Sequence, residues 1–316
     1  MKAMILKEFG GTENFSMQDV PTPEAGPGEV VIAIKAIGLD QIDIKTRKGE
    51  GMASYLEKEN PMILGWDAAG VVTKVGEGVT AHQQGDAVFG TIRFPGPGST
   101  YAEYAAAPAD QLARKPENSS FEEAAAATQS PLTAWQALVD NGNVQKGQRV
   151  LIHGGAGGVG SFAVQIAHNR GCYVVATAAA EDLDYVLSLG ADQVIDYKND
   201  RFEEKVSNLD FILDTVGGET FARSLDVLAP QGMIVLLPSD KKEEAEKAAQ
   251  QKGITNWRHI LMHSSGEDLH EIAGMLAQGT LSVHLAKIFT FEQIPQAHEA
   301  LENGKIQGKI AIALRS

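Results

Sequence analysis

The sequence predicts an α/β protein in two folded parts, a doubly wound parallel sheet preceded by a β-rich domain. Three observations predict it. From residue 149, near-continuous Val/Ile/Leu runs alternate with amphipathic helical segments; before residue 120, short β-branched runs are punctuated by Gly and Pro; and 316 residues exceed what one core of typical size accommodates.

In chain order, KAMILKEF, EVVIAIKAIGL, AAGVVTKVG, DAVFG and TYAEYAAAP read as strands of a barrel-like or sandwich domain. Ser120 with Glu123 three positions on forms a capping box. It opens FEEAAAATQSPLTAWQALVDNG, predicted helical with Pro131 kinking or dividing it. Strands RVLIHG, YVVATA, QVIDY, DFILDTVG and GMIVLLPS then alternate with helices SFAVQIAHNRG, EDLDYVLSLG, FEEKVS and ETFARSLDVLA. KKEEAEKAAQQK (241–252) mixes both charges at helical spacing and reads as a solvated helix face. Two further helices, GEDLHEIAGMLAQG and FEQIPQAHEALENG, and the strand GKIAIAL either complete the parallel sheet or rejoin the first domain. Domain boundaries are expected at 1–122, 123–263 and 264–316.

The formal net charge of −14 repels polyanions, and no basic stripe offsets it, so no nucleic-acid partner is expected. No apolar run approaches the roughly 20 residues of a bilayer span, so no membrane partner is expected either. Lys7 and Glu8 break the apolar run of MKAMILKEFGG, which therefore does not read as a signal peptide and points to the cytoplasm. The single Cys172 excludes an intramolecular disulfide and a cysteine-rich zinc site and reads as a small core residue.

LIHGGAGGVGSFAVQIA (151–167) carries the chemistry. Gly155, Gly157 and Gly160 fit G-x-G-x-x-G between an apolar strand and an amphipathic helix. Glycines there permit a tight turn and let backbone amides and the positive end of the helix dipole meet a pyrophosphate. A carboxylate about 20 residues after the first glycine marks NAD binders. That count lands on Thr177, Ala178 and Ala179, which offer none, so a 2′-phosphate meets no repulsion and NADPH is expected, with NADH possible.

Taken together, AIGLDQIDIKTRKG (36–49), ILGWDAAGVVTKVGEGVTAHQQGDAVFG (63–90), SPLTAWQAL and GGAGGVGSFAVQIA resemble, in order and spacing, the zinc-free quinone oxidoreductase and enone reductase branch of the medium-chain dehydrogenase/reductase superfamily. The resemblance spans the whole chain. It implies a GroES-like catalytic domain, built from both ends of the chain, flanking a Rossmann domain, with the active site in the cleft between them. Where zinc-dependent members place a Cys, a His and a second Cys, this chain has Asp40, Trp66 and Gln129, a poor donor set for zinc, so no metal is expected. His259 and His263, four apart, read as unrelated surface or strand positions.

The implied activity is an NADPH-dependent reductase of quinones or α,β-unsaturated carbonyls, with Lys45 as the donor to the developing oxyanion. Tyr55, in the loop GEGMASYLEKENP, is a candidate proton donor or lid, although it reads more readily as a packed loop aromatic. Where the family usually has Asn, Asp40 stands, with Lys45 as a possible partner. Asp43 and Asp67 read as structural, Asp67 paired with Lys309. The implied cofactor contacts are Asp40, Thr133, Gly155, Gly157, Gly158, Val159, Gly160, Thr177, Ala178, Tyr197, Thr215, Val216, Leu237, Pro238, Ser239 and Lys309. Tyr197 resembles a tyrosine that meets the 2′-phosphate, with Lys198, Lys305 or Lys309 supplying charge, while Asp182 stands where NADPH enzymes often have Lys. A homodimer is expected through the apolar edge NWRHILMH (256–263). The alternatives are a zinc-independent carbonyl reductase or alcohol dehydrogenase, and a non-catalytic NADPH-binding sensor or structural protein.

Overall fold

The computed structural model describes residues 1–304 and 306–314. Lys305, one of the lysines considered for the 2′-phosphate, lies outside the described residues. The chain forms two compact units, Met1–Leu132 with the segment from Met262 on, and Thr133–Leu261.

The first unit opens with an antiparallel pair, β1 (Lys2–Leu6) and β2 (Phe15–Asp19), in which Met4 faces Met17. It continues through β3 (Glu29–Leu39), β4 (Asp67–Val75), β5 (Ala87–Thr91), β6 (Tyr104–Pro108) and β7 (Leu112–Arg114). The eleven-residue β3 is the spine: Val30, Val31, Ile32, Ile34, Ala36 and Ile37 are buried, and the strand pairs antiparallel with both β4 and β6. Helices α1 (Gln41–Arg47) and α2 (Ala53–Leu56) fill the β3–β4 connection. The capping box forms as expected. Glu123 N–H donates to Ser120 Oγ at 3.1 Å and Ser120 N–H to Glu123 Oε2 at 2.8 Å, starting α3 (Phe121–Ala126). The helical segment divides at Ala127–Thr128 and not at Pro131, which lies in the first turn of α4 (Gln129–Trp135), where a missing N–H costs nothing.

In the second unit, β8 (Arg149–Ile152), α5 (Gly158–Asn169), β9 (Tyr173–Ala178), α6 (Leu183–Ser188), β10 (Gln193–Asp196), β11 (Leu209–Asp214), α7 (Glu219–Ser224), β12 (Leu228–Leu236), α8 (Lys242–Lys252) and β13 (Trp257–His259) follow in order. The sheet runs β10-β9-β8-β11-β12-β13 with every pair parallel. Its core packs Leu151, Val175, Ile212 and Ile234 against Phe221, Leu225, Ala245 and Ala249. Ala245 and Ala249 are one turn apart, which buries a single stripe of α8 and leaves its charges in solvent. FEEKVS is only a 3-10 turn, Phe202–Glu204, because one turn is too short to repay helix nucleation, although its Phe202 is buried.

The tail, α9 (Gly266–Gln278), β14 (Leu285–Thr290), α10 (Ile294–Glu302) and β15 (Lys309–Ala313), completes the first unit. Antiparallel pairing of β15 with β3 sets Ile310 opposite Leu39 and Ile312 opposite Ile37. Of the expected edge 256–263, only Trp257–His259 is strand. Ile260 N–H still reaches Leu236 O at 3.2 Å, while Leu261 is exposed.

Candidate functional site

The strand order of the second unit creates one special place. The chain moves outward from β8 to β9 and β10, then returns past β8 to β11, so the connections leaving β8 and β11 diverge at the carboxyl edge of the sheet, where ligands of such sheets bind. The glycine loop leaves β8 there. Thr177 and Ala178 end β9, Tyr197 follows β10, Thr215 and Val216 follow β11, and Leu237, Pro238 and Ser239 follow β12. Residues distant in sequence are thereby collected along one edge, with Tyr197, Val216 and Ser239 exposed.

Each loop glycine has its own reason. Gly154 takes a φ of +70°, the left-handed region. A Cβ on Gly155 would lie 2.9 Å from the Ala176 methyl, and one on Gly160 would strike the Gly154 carbonyl. Gly157 N–H donates to Gly154 O at 3.0 Å, closing the turn, and Ser161 N–H to Gly157 O at 3.0 Å begins the helix. The amides of Gly158, Val159 and Gly160 therefore stand at the open N-terminus of α5.

Thr177 holds the loop: its carbonyl accepts from Gly155 N–H at 2.8 Å and its hydroxyl from Gly154 N–H at 3.2 Å. His153 lies beneath, fully buried, with Nδ1 3.2 Å from Thr177 Oγ1 and Nε2 2.9 Å from Ser224 Oγ. The Asp214 carboxylate caps the next loop, accepting from Val216 and Gly217 N–H at 2.8 Å each, and burial raises its pKa. Lys198 pairs with Glu181 at 3.0 Å on the surface beside Tyr197.

The first unit holds a different cluster. Lys309, 3% exposed, forms an ion pair with Asp40, not with Asp67 as the resemblance implied, and not leaving Asp40 to Lys45. The register is the cause: Ile310 faces Leu39, so the next residue, Lys309, falls opposite Asp40. Ser130 Oγ donates to Asp40 at 2.7 Å and lies 3.0 Å from Lys309 Nζ. Asp67 instead accepts from Thr91 Oγ1 at 2.8 Å and Gln129 N–H at 3.2 Å. Burial alone would raise the Asp40 pKa, but the Lys309 charge and the surrounding hydrogen bonds bring it below the ordinary value. Burial and then the Asp40 charge hold Asp67 well above it and push Asp43 up to about 7. Asp43 accepts from Asp40 N–H at 2.9 Å; near it Tyr101 Oη lies 2.9 Å from His298 Nε2. Lys45 is half-buried on α1, and Tyr55, 50% exposed, sits on α2. Thr133 lies within α4. Trp66 Nε1 donates to Gly96 O at 2.6 Å, with its ring edge-on to Phe94.

Two family descriptions match this chain: an alcohol dehydrogenase GroES-like domain over residues 26–117 and a zinc-binding dehydrogenase domain over 189–312. A zebrafish (Danio rerio) mitochondrial NAD(P)H oxidoreductase, RTN4IP1, is 32% identical over 91% of this chain and 84% of its own. Tomato (Solanum lycopersicum) 2-methylene-furan-3-one reductase is 33% identical over 99% and 79%. The solved structure of a quinone oxidoreductase from Coxiella burnetii superposes with a TM-score of 0.93 at 35% identity, covering 100% of this chain and 99% of that one. The chain belongs to the medium-chain dehydrogenase/reductase family, in its quinone oxidoreductase and enone reductase branch. This medium-chain reductase is thus an oxidoreductase with a nicotinamide cofactor.

Sequence reasoning missed His153, Ser224 and Asp214. A signal existed for His153, an imidazole at the end of an apolar strand directly before the glycine run, whereas Ser224 becomes relevant only when α7 folds back under that strand.

Proposed function

We propose that this medium-chain reductase is NADPH-dependent and transfers hydride to quinones or α,β-unsaturated carbonyls without a metal. One observation carries the cofactor reading: the end of β9 presents Ala178 and Ala179 and no carboxylate, with Thr177 turned into the loop, while Tyr197 and Lys198 stand on the neighbouring connection. The metal-free reading is supported by the donor set. Asp40 is engaged by Lys309 and Ser130, and the Trp66 nitrogen is a hydrogen-bond donor without a free lone pair.

The bound cofactor supplies the hydride. In this reading Lys45 donates to the substrate carbonyl oxygen, where negative charge gathers, and Tyr55 covers the substrate or returns a proton. Asp40, Thr133 and Lys309 take part in holding the cofactor from their own positions. The active species is a homodimer paired through the β13 edge. A cytoplasmic location fits the single buried cysteine. No helix among the described residues is long and apolar enough to cross a membrane.

The test is steady-state oxidation of NADPH and of NADH against a panel of quinones and 2-alkenals, with and without chelator, beside elemental analysis. Chelator-resistant turnover with NADPH preferred is expected. No turnover on either class, or one tightly bound zinc per chain, overturns the proposal.

A further inference from the structure

We infer that His153 and Thr177 are positioning residues for the dinucleotide: a directional chain of neutral hydrogen bonds from α7 to Gly154 fixes the glycine loop, so that the amides of Gly158, Val159 and Gly160 meet the pyrophosphate. This rests on the proposed reading of the loop as the cofactor site. The direction follows from counting protons. Ser224 has one hydroxyl proton and gives it to Thr220 O at 2.7 Å, so its oxygen accepts from His153 Nε2–H. Burial, and then the Arg223 guanidinium, push the His153 pKa down to about 3, so the ring carries one proton, on Nε2. Nδ1 therefore presents a lone pair and accepts from Thr177 Oγ1–H. With its proton committed, Thr177 Oγ1 is an acceptor toward the loop, where Gly154 N–H lies.

The tautomer is assigned from the network. Reversing any one link leaves two donors or two lone pairs face to face in a buried site, so the chain is fixed at every point. Its output is the peptide joining His153 to Gly154, whose N–H the Thr177 hydroxyl receives. The next peptide is held by Gly155 N–H on the Thr177 carbonyl, and its Gly154 O accepts from Gly157 N–H and is what a Cβ on Gly160 would strike, so the two bonds to Thr177 fix successive peptides that lead into the turn and the start of α5. His153 and Thr177 thus act through backbone, and neither needs to touch the ligand.

Calorimetric titration of NADPH and of ADP-ribose, which lacks the nicotinamide, tests this in the full-length protein. Thr177→Val, isosteric but without the hydroxyl, leaves His153 Nδ1 and Gly154 N–H unpaired and is expected to lower the melting temperature and to weaken both ligands about 3- to 10-fold. Thr177→Ser is expected to restore binding to within about twofold of wild type. His153→Asn, whose Oδ1 takes the place of the Nδ1 acceptor, should bind more tightly than His153→Leu, and nitrogen NMR of the wild type should find the ring proton on Nε2. Wild-type affinity in Thr177→Val, or equal loss in Thr177→Val and Thr177→Ser, overturns the inference while leaving the cofactor reading intact. A wild type that binds neither ligand overturns both.

Discussion

The two units stabilise their functional residues by opposite means. At the carboxyl edge of the parallel sheet the glycine loop is held by neutral groups: a buried uncharged imidazole, a threonine hydroxyl, and glycines whose missing side chains let backbones approach. In the other unit three carboxylates, Asp40, Asp43 and Asp67, surround one buried ammonium, Lys309, which pairs with Asp40, while burial raises the pKa of the other two. Neutral bonds tolerate a change of pH and cost little to desolvate; buried charges lock distant segments together but leave a large penalty when one partner goes.

The largest expected effect tests the charged side. Lys309→Met leaves Asp40 buried without its counterion and should cost about 3–5 kcal/mol in urea denaturation near neutral pH. Adding Asp40→Asn should recover most of that loss, since a neutral pair needs no counterion. A single variant less than about 1 kcal/mol weaker than wild type would mean that charge does not hold this unit together.

Next comes Lys45, on the helix that Asp40 caps. Lys45→Ala should lower turnover on an enone about 10²- to 10³-fold while leaving NADPH affinity nearly unchanged. A loss below threefold would assign the oxyanion to another donor and leave unit one with a purely structural cluster.

The contrast also explains what could be read from sequence. The glycine loop was legible because strand, turn and helix lie within one stretch of residues, each constrained by its neighbours. The Lys309–Asp40 pair joins residues 269 apart and depends on the β15–β3 register, which no local pattern specifies, so the resemblance offered the wrong carboxylate. Pro131 misled for a related reason: whether a proline breaks a helix depends on where the helix starts, and Asp67, distant in sequence on β4, accepts the Gln129 N–H at that start. His153 was visible as a residue but not as a device, because its partner Ser224 lies 71 residues away.

Titration separates the units further. The folded pKa of Asp43, about 7, exceeds the ordinary carboxylate value near 4, so between these the folded state keeps a proton the unfolded chain has released. Asp43 thus favours folding at low pH, and its contribution is lost as pH rises through that window. Among the groups around it, the Asp40 charge deepens the effect and Lys309 opposes it. Asp43→Asn should gain stability relative to wild type by a few kcal/mol from about pH 4 to about pH 7, read from urea midpoints. Parallel curves for the two proteins would show that Asp43 ionises normally.

On the neutral side, Gly160→Ala sets a methyl against the Gly154 carbonyl. Overpacking of about 1–3 kcal/mol, felt at the amides proposed to meet the pyrophosphate, should weaken NADPH and NADH alike by about tenfold or more. Unequal losses for the two cofactors would place the fault at the ribose end and not in the loop.

The smallest effect concerns which cofactor the neutral edge prefers. In the proposed reading Lys198, beside Tyr197, is the cation offered to a 2′-phosphate, and it is already paired with Glu181 on the surface. An exposed pair of this kind is weak and competes with the ligand at little cost, so the preference for NADPH should be modest and should shrink as salt rises. Asp182→Lys, at the entrance to α6, adds a cation and removes an anion at a position the family often fills with Lys. Calorimetry should find NADPH tightened by less than about tenfold and NADH nearly unchanged, since only the former carries the extra phosphate. Glu181→Gln, which releases Lys198 without adding charge, should act in the same direction and more weakly. If both variants tightened NADH as much as NADPH, the gain would come from the shared pyrophosphate, and the selectivity assigned to the end of β9 would have to be sought in the other unit.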